Sequence, residues 1–328
     1  MIALTRPAIC LIASAALAAF VFAFAHAHAA EAPYPAKPIR IIIATTVGSG
    51  PDILARQIGA KLTQAWGQQV VIDPRAGASG MIGAELTANA AADGYTLWMA
   101  TMSHVIATTM YQRLLLARDF APITQVASTP YVIAVNAALP ANSIAELIAY
   151  AKSRPGQVLY GSAGQGSTPH LCIELFKSMT GTNLLHVPYR GAAPALTDLM
   201  SGHVQISCVA APAVQSFARS GKLRALGVTT QRRTPLAPDV PAVAETVPGY
   251  DLVGWYGLLA PLGTPKAIVN QISSEIARAL KTTEVQERLV STGAEAVESS
   301  PAEFTKFLEK ETLRWGKVLR DAGIKPTP

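Results

Sequence analysis

The sequence predicts an α/β fold arranged as two lobes, and three observations predict it. Short β-branched apolar runs alternate with amphipathic helical stretches along nearly the whole chain, the pattern of strands covered by helices. The alternation runs once to about residue 130 and then restarts. The two helical stretches at the end have no strands of their own to cover, so the economical arrangement packs them back on the first unit. That makes the first domain discontinuous, 30–130 plus 251–328, with a second domain, 131–250, inserted into it. Two connections, near Pro130 and Tyr250, then form a hinge, and a ligand cleft is expected between the lobes.

The elements follow in order. Ile39 to Ala44 reads as a buried strand, and the helix after it carries Leu54, Ile58, Leu62 and Ala65 on one face and stops at Gly67. Val70 to Asp73 is the next strand, Gly77-Ala78-Ser79-Gly80 opens another helix, and Tyr95 to Met99 is a third strand. In the second unit Tyr131 to Asn136 is a strand, and Ser143-Ile144-Ala145-Glu146 is a capping box for a helix ending before Pro155. Gln157 to Tyr160 is a strand. Thr168-Pro169 then starts a helix as N-cap and first residue, with Leu171, Leu175 and Met179 inward and Gly181 at its end. Leu184 to Val187, Val204 to Val209, Leu223 to Thr229 and Leu252 to Leu259 continue the sheets. Helices near Pro265 to Leu280 and Pro301 to Ala322 finish the chain.

The first thirty residues read as an export leader. Arg6 gives a positive start, Ala8 to Ala25 carries no charge, and Ala25-His26-Ala27 and Ala27-His28-Ala29 are small-x-small cleavage sites. The alternative is an uncleaved anchor, since the run approaches the roughly 18–20 residues that span a bilayer. Cys10 stands too early for lipidation. Cleavage near Ala27 to Ala30 leaves a periplasmic chain of about 300 residues, outside the compartment where nucleotide cofactors abound. The full chain has 27 basic and 21 acidic residues, and without Arg6 the excess is +5; these charges are scattered, which excludes a clustered nucleic-acid stripe. Cys172 and Cys208 admit a disulfide or two buried thiols. No histidine has metal-ligand spacing, so no metal is expected.

Four loops, each following a strand, carry small and hydroxyl residues suited to binding an anion through backbone N–H groups. Gly48-Ser49-Gly50-Pro51-Asp52 is a carboxylate cradle or a plain turn with Asp52 capping the helix. As a dinucleotide fingerprint with Asp73 it fails, because Ile53 stands where the third glycine is needed. Gly161 to Thr168 is the richest loop; it lacks the Gly-Lys-Ser/Thr of a phosphate loop and the G-x-S-x-G of a hydrolase elbow. His170 just beyond it could donate to an anion. Thr101-Met102-Ser103-His104 and Pro188-Tyr189-Arg190-Gly191 complete the set, with Arg190 either clamping a carboxylate or merely exposed.

These segments resemble the receptors of tripartite tricarboxylate transporters, the Bug family of periplasmic solute-binding proteins. The likeness covers about Tyr34 to Ile324. It includes Tyr34-Pro35-x-Lys37-Pro38, Asp52-Ile53-Leu54-Ala55-Arg56, Asp93-Gly94-Tyr95-Thr96-Leu97, Asp119-Phe120-Ala121-Pro122, the Ser162 to His170 loop, His186 to Gly191 and Trp255-Tyr256-Gly257-Leu258. The resemblance implies a two-lobed periplasmic binding protein fold, a ligand cleft between two α/β domains joined by a hinge. It also implies a small carboxylate ligand and a membrane permease as partners, and it places the proximal carboxylate against Gly48, Ser49 and Gly50 and against Ser162, Gly164, Gly166 and Ser167. Two departures stand out: Thr45 where an aromatic residue is common, and Val209 where an aspartate is frequent. Loops and resemblance together give an expected ligand set of Thr45, Thr46, Gly48, Ser49, Gly50, Thr101, Ser103, Ser162, Gly164, Gly166, Ser167, His170, Tyr189, Arg190 and Val209. No catalytic residue, cofactor or nucleic-acid partner is expected, and the chain is expected to act as a monomer. The competing readings are a ligand-presenting partner of a signalling sensor and a secreted hydrolase using Ser162 or Ser167 with His170. With Val209 apolar, the ligand's distal end is expected to be uncharged or anionic rather than an ammonium.

Overall fold

A computed structural model describes residues 33–45 and 47–321; the expected leader and Thr46 lie outside the described residues. From Lys37 onward the chain forms one body. Its elements are β1 (Ile39–Ile43), α1 (Gly50–Trp66), β2 (Val70–Pro74), a 3-10 turn (Ala78–Gly80), α2 (Met81–Ala88), β3 (Thr96–Thr101), α3 (Met102–Tyr111), α4 (Leu116–Asp119) and β4 (Phe120–Asn136). Then come α5 (Ile144–Ser153), β5 (Val158–Ser162), α6 (Thr168–Thr180), β6 (Leu184–Pro188), α7 (Ala192–Ser201), β7 (Ile206–Ala210), α8 (Ala211–Arg219) and β8 (Leu223–Val228). A second 3-10 turn (Val243–Glu245), β9 (Val253–Pro261), α9 (Lys266–Leu280), α10 (Thr283–Thr292), β10 (Glu295–Ala296) and α11 (Pro301–Asp321) complete the chain.

One long strand organises both sheets. Residues 120–130 of β4 run antiparallel to β9, which continues through β3, β1 and β2. Residues 131–136 of the same strand pair with β7 on one side and β8 on the other, and β7 leads on to β5 and β6. The short antiparallel connections contrast with the parallel β1–β2, β1–β3, β5–β6 and β5–β7 pairs, which are joined by helical crossovers. At the junction Thr229 is bonded three times to Tyr131: its N–H and Oγ1 donate to the Tyr131 carbonyl at 2.9 and 3.1 Å, and its Oγ1 accepts the Tyr131 N–H at 3.1 Å.

The late helices lie on the first sheet's side, and the two-residue β10 between α10 and α11 pairs with β4 there. α9 packs on β4 and α1, and α11 packs on α3, α4, β4 and α6. Trp98, Trp255, Trp315 and Phe304 are fully buried there. Phe304 sits so close to Gly257 that a Cβ at that position would lie 2.2 Å from its ring, which makes the glycine a requirement of packing rather than of turning. The Glu311 carboxylate, buried in α11, accepts the Trp315 indole N–H at 2.9 Å, so the tryptophan's polar edge is satisfied inside the core.

Four expectations need correction. β4 starts at Phe120, eleven residues before the strand read from Tyr131. Pro122 and Pro130 argue against a strand, but register shifts between Pro122 and Thr124 and between Gln125 and Ala127 absorb the irregularity. α6 is capped by Ser167, one residue earlier than read, with Thr168 and Pro169 in its first turn. Met179 faces outward, 38% exposed. At about 100° per residue, eight residues turn the helix roughly 80° past Leu171, off the buried face. The Ser143 box closes differently: Ser143 accepts the Glu146 N–H, but the Glu146 carboxylate returns to the N–H of Asn142.

Candidate functional site

Two neighbouring cavities open where the carboxyl ends of both sheets meet. One, of about 420 Å³, is walled by Thr45, by Gly77, Ser79 and Gly80, by Ser103 and His104 of α3, and by Ala163 to Ser167 before α6. The other, of about 340 Å³, shares Ser103, Ala163 and Ser167 with the first and continues to Tyr131, Pro169, Ala192, Ala195, Leu196 and Val209. Ser103 Oγ and Thr168 Oγ1 stand 3.5 Å apart at the boundary, one from each side. The first turns of α3, α6 and α7 all border these cavities. Their amide groups and positive dipole ends therefore favour an anion. Among the described residues no lysine, arginine, aspartate or glutamate lines either cavity.

The Ser162–Ser167 loop is held by its own hydroxyls. Ser162 Oγ accepts the Gly164 N–H at 3.1 Å and lies 2.6 Å from His186 Nε2, while Ser167 Oγ donates to the Gly164 carbonyl at 2.6 Å. The Gly166 N–H donates to His170 Nδ1 at 3.1 Å. The His170 and His186 rings stack with centroids 4.1 Å apart, and Tyr160 stacks on His186 in turn. Below them the Tyr160 hydroxyl and the Lys177 ammonium both donate to Glu174 Oε1, at 2.5 and 2.6 Å. Burial, reinforced by repulsion from His186, pushes His170 down to about 4, so it stays neutral and keeps accepting from Gly166. Burial also lowers His186. Ser162 is completely buried, so its contact with His186 props the loop and is out of reach of a substrate carbonyl. The Ser167 with His170 pairing of the hydrolase reading is not made, since each side chain is bonded to loop backbone instead.

His104 fixes the opposite wall. Its Nδ1 accepts the Thr101 N–H at 3.0 Å, and its other ring nitrogen donates to the Ala44 carbonyl at the end of β1. Complete burial pushes it down to about 4. Its ring lies against Gly80, which has φ +92, so an added Cβ would meet the ring at 2.3 Å and the backbone would be strained besides. Gly80→Ala is therefore expected to cost about 2–3 kcal/mol and to weaken ligand binding, because His104 and Ser79 share that wall. Urea denaturation read beside ligand titration checks both; a variant as stable and as tight-binding as the parent would refute the placement.

Of the expected ligand set, Thr45, Ser103, Gly166, Ser167 and Val209 line the cavities. Gly48, Ser49 and Gly50 do not. The Gly48 N–H is donated to Asp52 Oδ2 at 2.9 Å, Ser49 Oγ is bonded to Thr45 Oγ1, and Gly50 lies against the Tyr256 hydroxyl. Burial pulls the Asp52 carboxyl up, but the bonds from Arg56 and Gly48 outweigh it and hold the group below the usual carboxylate range. This loop thus turns its cradle on its own helix cap. Thr101 caps α3, Gly164 packs under the Tyr189 carbonyl, and Ser162 and His170 are internal props. Tyr189 gives its hydroxyl to Asp198 at 2.6 Å; burial and that bond push it up to about 12. Arg190 is exposed and outside both cavities. Sequence reading missed Ser79, Tyr131, Pro169 and Leu196. Only Ser79, in the Gly77 to Gly80 turn, carried a signal that could have found it.

A two-lobed α/β body with an uncharged, amide-rich cleft between its sheets is a solute-binding receptor in architecture. The chain belongs to the tripartite tricarboxylate transporter receptor family: that family's model matches residues 54–324. Protein BugT of Bordetella pertussis is 36% identical over 300 residues, 89% of this chain and 91% of BugT. A protein encoded in the tcbD-tcbE intergenic region of Pseudomonas sp. strain P51 is 35% identical, over 87% of this chain and 86% of its own length. Among solved structures, R. palustris Rpa4515 with adipate has 38% identity and a TM-score of 0.75, covering 90% of this chain and all of that one. MatC of Rhodopseudomonas palustris with bound malate has 28% identity and a TM-score of 0.74, covering 87% and 100%. The cysteine pair left open by the sequence is a disulfide here, Cys172–Cys208, tying α6 to β7.

Proposed function

We propose that this chain is an exported, periplasmic receptor that binds one small carboxylate in the cleft and presents it to the permease of a tripartite tricarboxylate transporter. The observation that carries the reading is the cleft itself: Thr45, Ser79, Ser103 and Ser167 and three helix N-termini border a space that, among the described residues, no lysine, arginine, aspartate or glutamate lines. Such a site holds an anion by dipoles alone, which leaves it exchangeable. Adipate and malate in the related structures are of the same chemical class. The lobes divide at residue 130, where β4 changes sheets, and near residue 251, ahead of β9. Closure bends the chain there, and the receptor works as a monomer. Among the described residues no helix is long and apolar enough to cross a membrane.

The test is thermal. A carboxylate held at about a hundredfold its Kd should stabilise ligand-stripped protein by roughly 2.7 kcal/mol, read as a rise in Tm across a panel of mono- and dicarboxylates. No rise with any of them would remove the receptor reading.

A further inference from the structure

The geometry points to a ligand whose body beyond the carboxylate is plain hydrocarbon, without hydroxyl or ammonium substituents. This deepens the receptor reading and rests on it. The two cavities are chemically unequal. The first carries Thr45, Ser79, Ser103 and Ser167, whereas the second is walled along its length by Pro169, Ala195, Leu196 and Val209, with the first turn of α7 as the element that can take a second carboxylate. The hydroxyls that reach the second cavity are committed elsewhere. Ser207 donates to the Gly161 carbonyl at 2.9 Å, Thr168 is bonded to the Tyr131 hydroxyl, and Ser103 and Ser167 stand on the boundary with the first.

A carboxylate in the first cavity therefore sends its carbon skeleton across that boundary into apolar space. A hydroxyl on that skeleton would be desolvated with no side-chain partner on the Pro169–Leu196–Val209 wall, and an ammonium would fare worse. Asp198 does not relieve this: its carboxylate takes the Tyr189 hydroxyl and His203, and it does not line the cavity. Glu174 is likewise sequestered beneath the loop by Tyr160 and Lys177. Val209 is the specificity-determining residue of this wall.

Calorimetry on ligand-stripped protein with matched pairs tests the inference. Adipate against galactarate differs by four hydroxyls at equal length and charge; hexanoate against 6-aminohexanoate differs by one ammonium. The hydrocarbon member of each pair should bind at least a hundredfold more tightly, and Val209→Thr, nearly equal in shape, should narrow the adipate–galactarate gap at least tenfold. Galactarate or 6-aminohexanoate matching its partner would overturn the inference, as would an unchanged gap in Val209→Thr. Binding of malate or glutamate with none of the hydrocarbon acids would overturn it while leaving the receptor reading intact. Silence from every carboxylate would bring down the receptor reading and this inference with it.

Discussion

Lowering the pH from 7 to 4 should cost this protein about 6 kcal/mol of folding stability, on the order of half of what a domain ordinarily has. Two histidines supply the loss. His104 and His170 are both held down to about 4 in the folded chain, chiefly by burial, against about 6.5 when unfolded. Folded-state values below the unfolded ones mean that the unfolded chain binds more protons between these limits. Their contribution is therefore fully present above pH 6.5 and drains away as the pH falls toward 4. Each shift corresponds to about 3 kcal/mol, and each side chain is nearly inaccessible, so solvent screening takes little from it. Urea unfolding at pH 7, 6, 5 and 4 should trace the decline, with most of it below pH 6. His104→Asn, which retains one donor and one acceptor, should lower stability at pH 7 and remove about half of the slope. A profile level from pH 7 to pH 5 would contradict the assignment.

The second large effect is the loss of the Cys172–Cys208 bridge. It spans 36 residues of sequence and joins the helix behind the Ser162–Ser167 loop to the strand that carries Val209. Removing a closure of that length frees the unfolded chain by about 3–4 kcal/mol. The Cys172→Ser/Cys208→Ser double variant should melt about 6 °C lower in scanning calorimetry. Ligand affinity should fall as well, since Cys208 borders the apolar cavity. A double variant within 1 kcal/mol of the parent would show that packing around Tyr250, whose hydroxyl donates to the Cys172 carbonyl at 2.9 Å, holds α6 without the bridge.

Local chemistry made most of the fold legible. The strands at Ile39, Val70 and Leu184 and the helices stopped by Gly67 and Gly181 all follow from periodicity and a glycine end. α3 is only weakly signalled, because Val105, Ile106, Thr108 and Thr109 are poor helix formers, and burial against α11 supports it more than propensity does. The site was legible where function and turn chemistry coincide, at Ser103, Gly166 and Ser167. It was illegible along most of the apolar wall, since Tyr131, Pro169 and Leu196 come from β4, α6 and α7 and share no spacing; Val209 entered only through the resemblance. At Gly48-Ser49-Gly50 the sequence admits a cradle or a plain turn, and the Gly48 N–H is bonded to Asp52, four residues on. A carboxylate inside an anion-binding motif is itself a sequence-level sign that the motif serves the helix.

β4 belongs to both sheets over its 17 residues, and Thr229 fastens the return path to its midpoint. Each sheet therefore takes one of its strands from the same unbroken segment. A cut at residue 130 would leave residues 120–130 on β9 and residues 131–136 between β7 and β8, and would end the unbroken strand that joins the two sheets. In heredity the consequence is that a crossover between the sheets has to rejoin the middle of one strand. New specificities can instead arise by point changes on the walls of the cleft, at positions such as Val209, within a chain passed on whole.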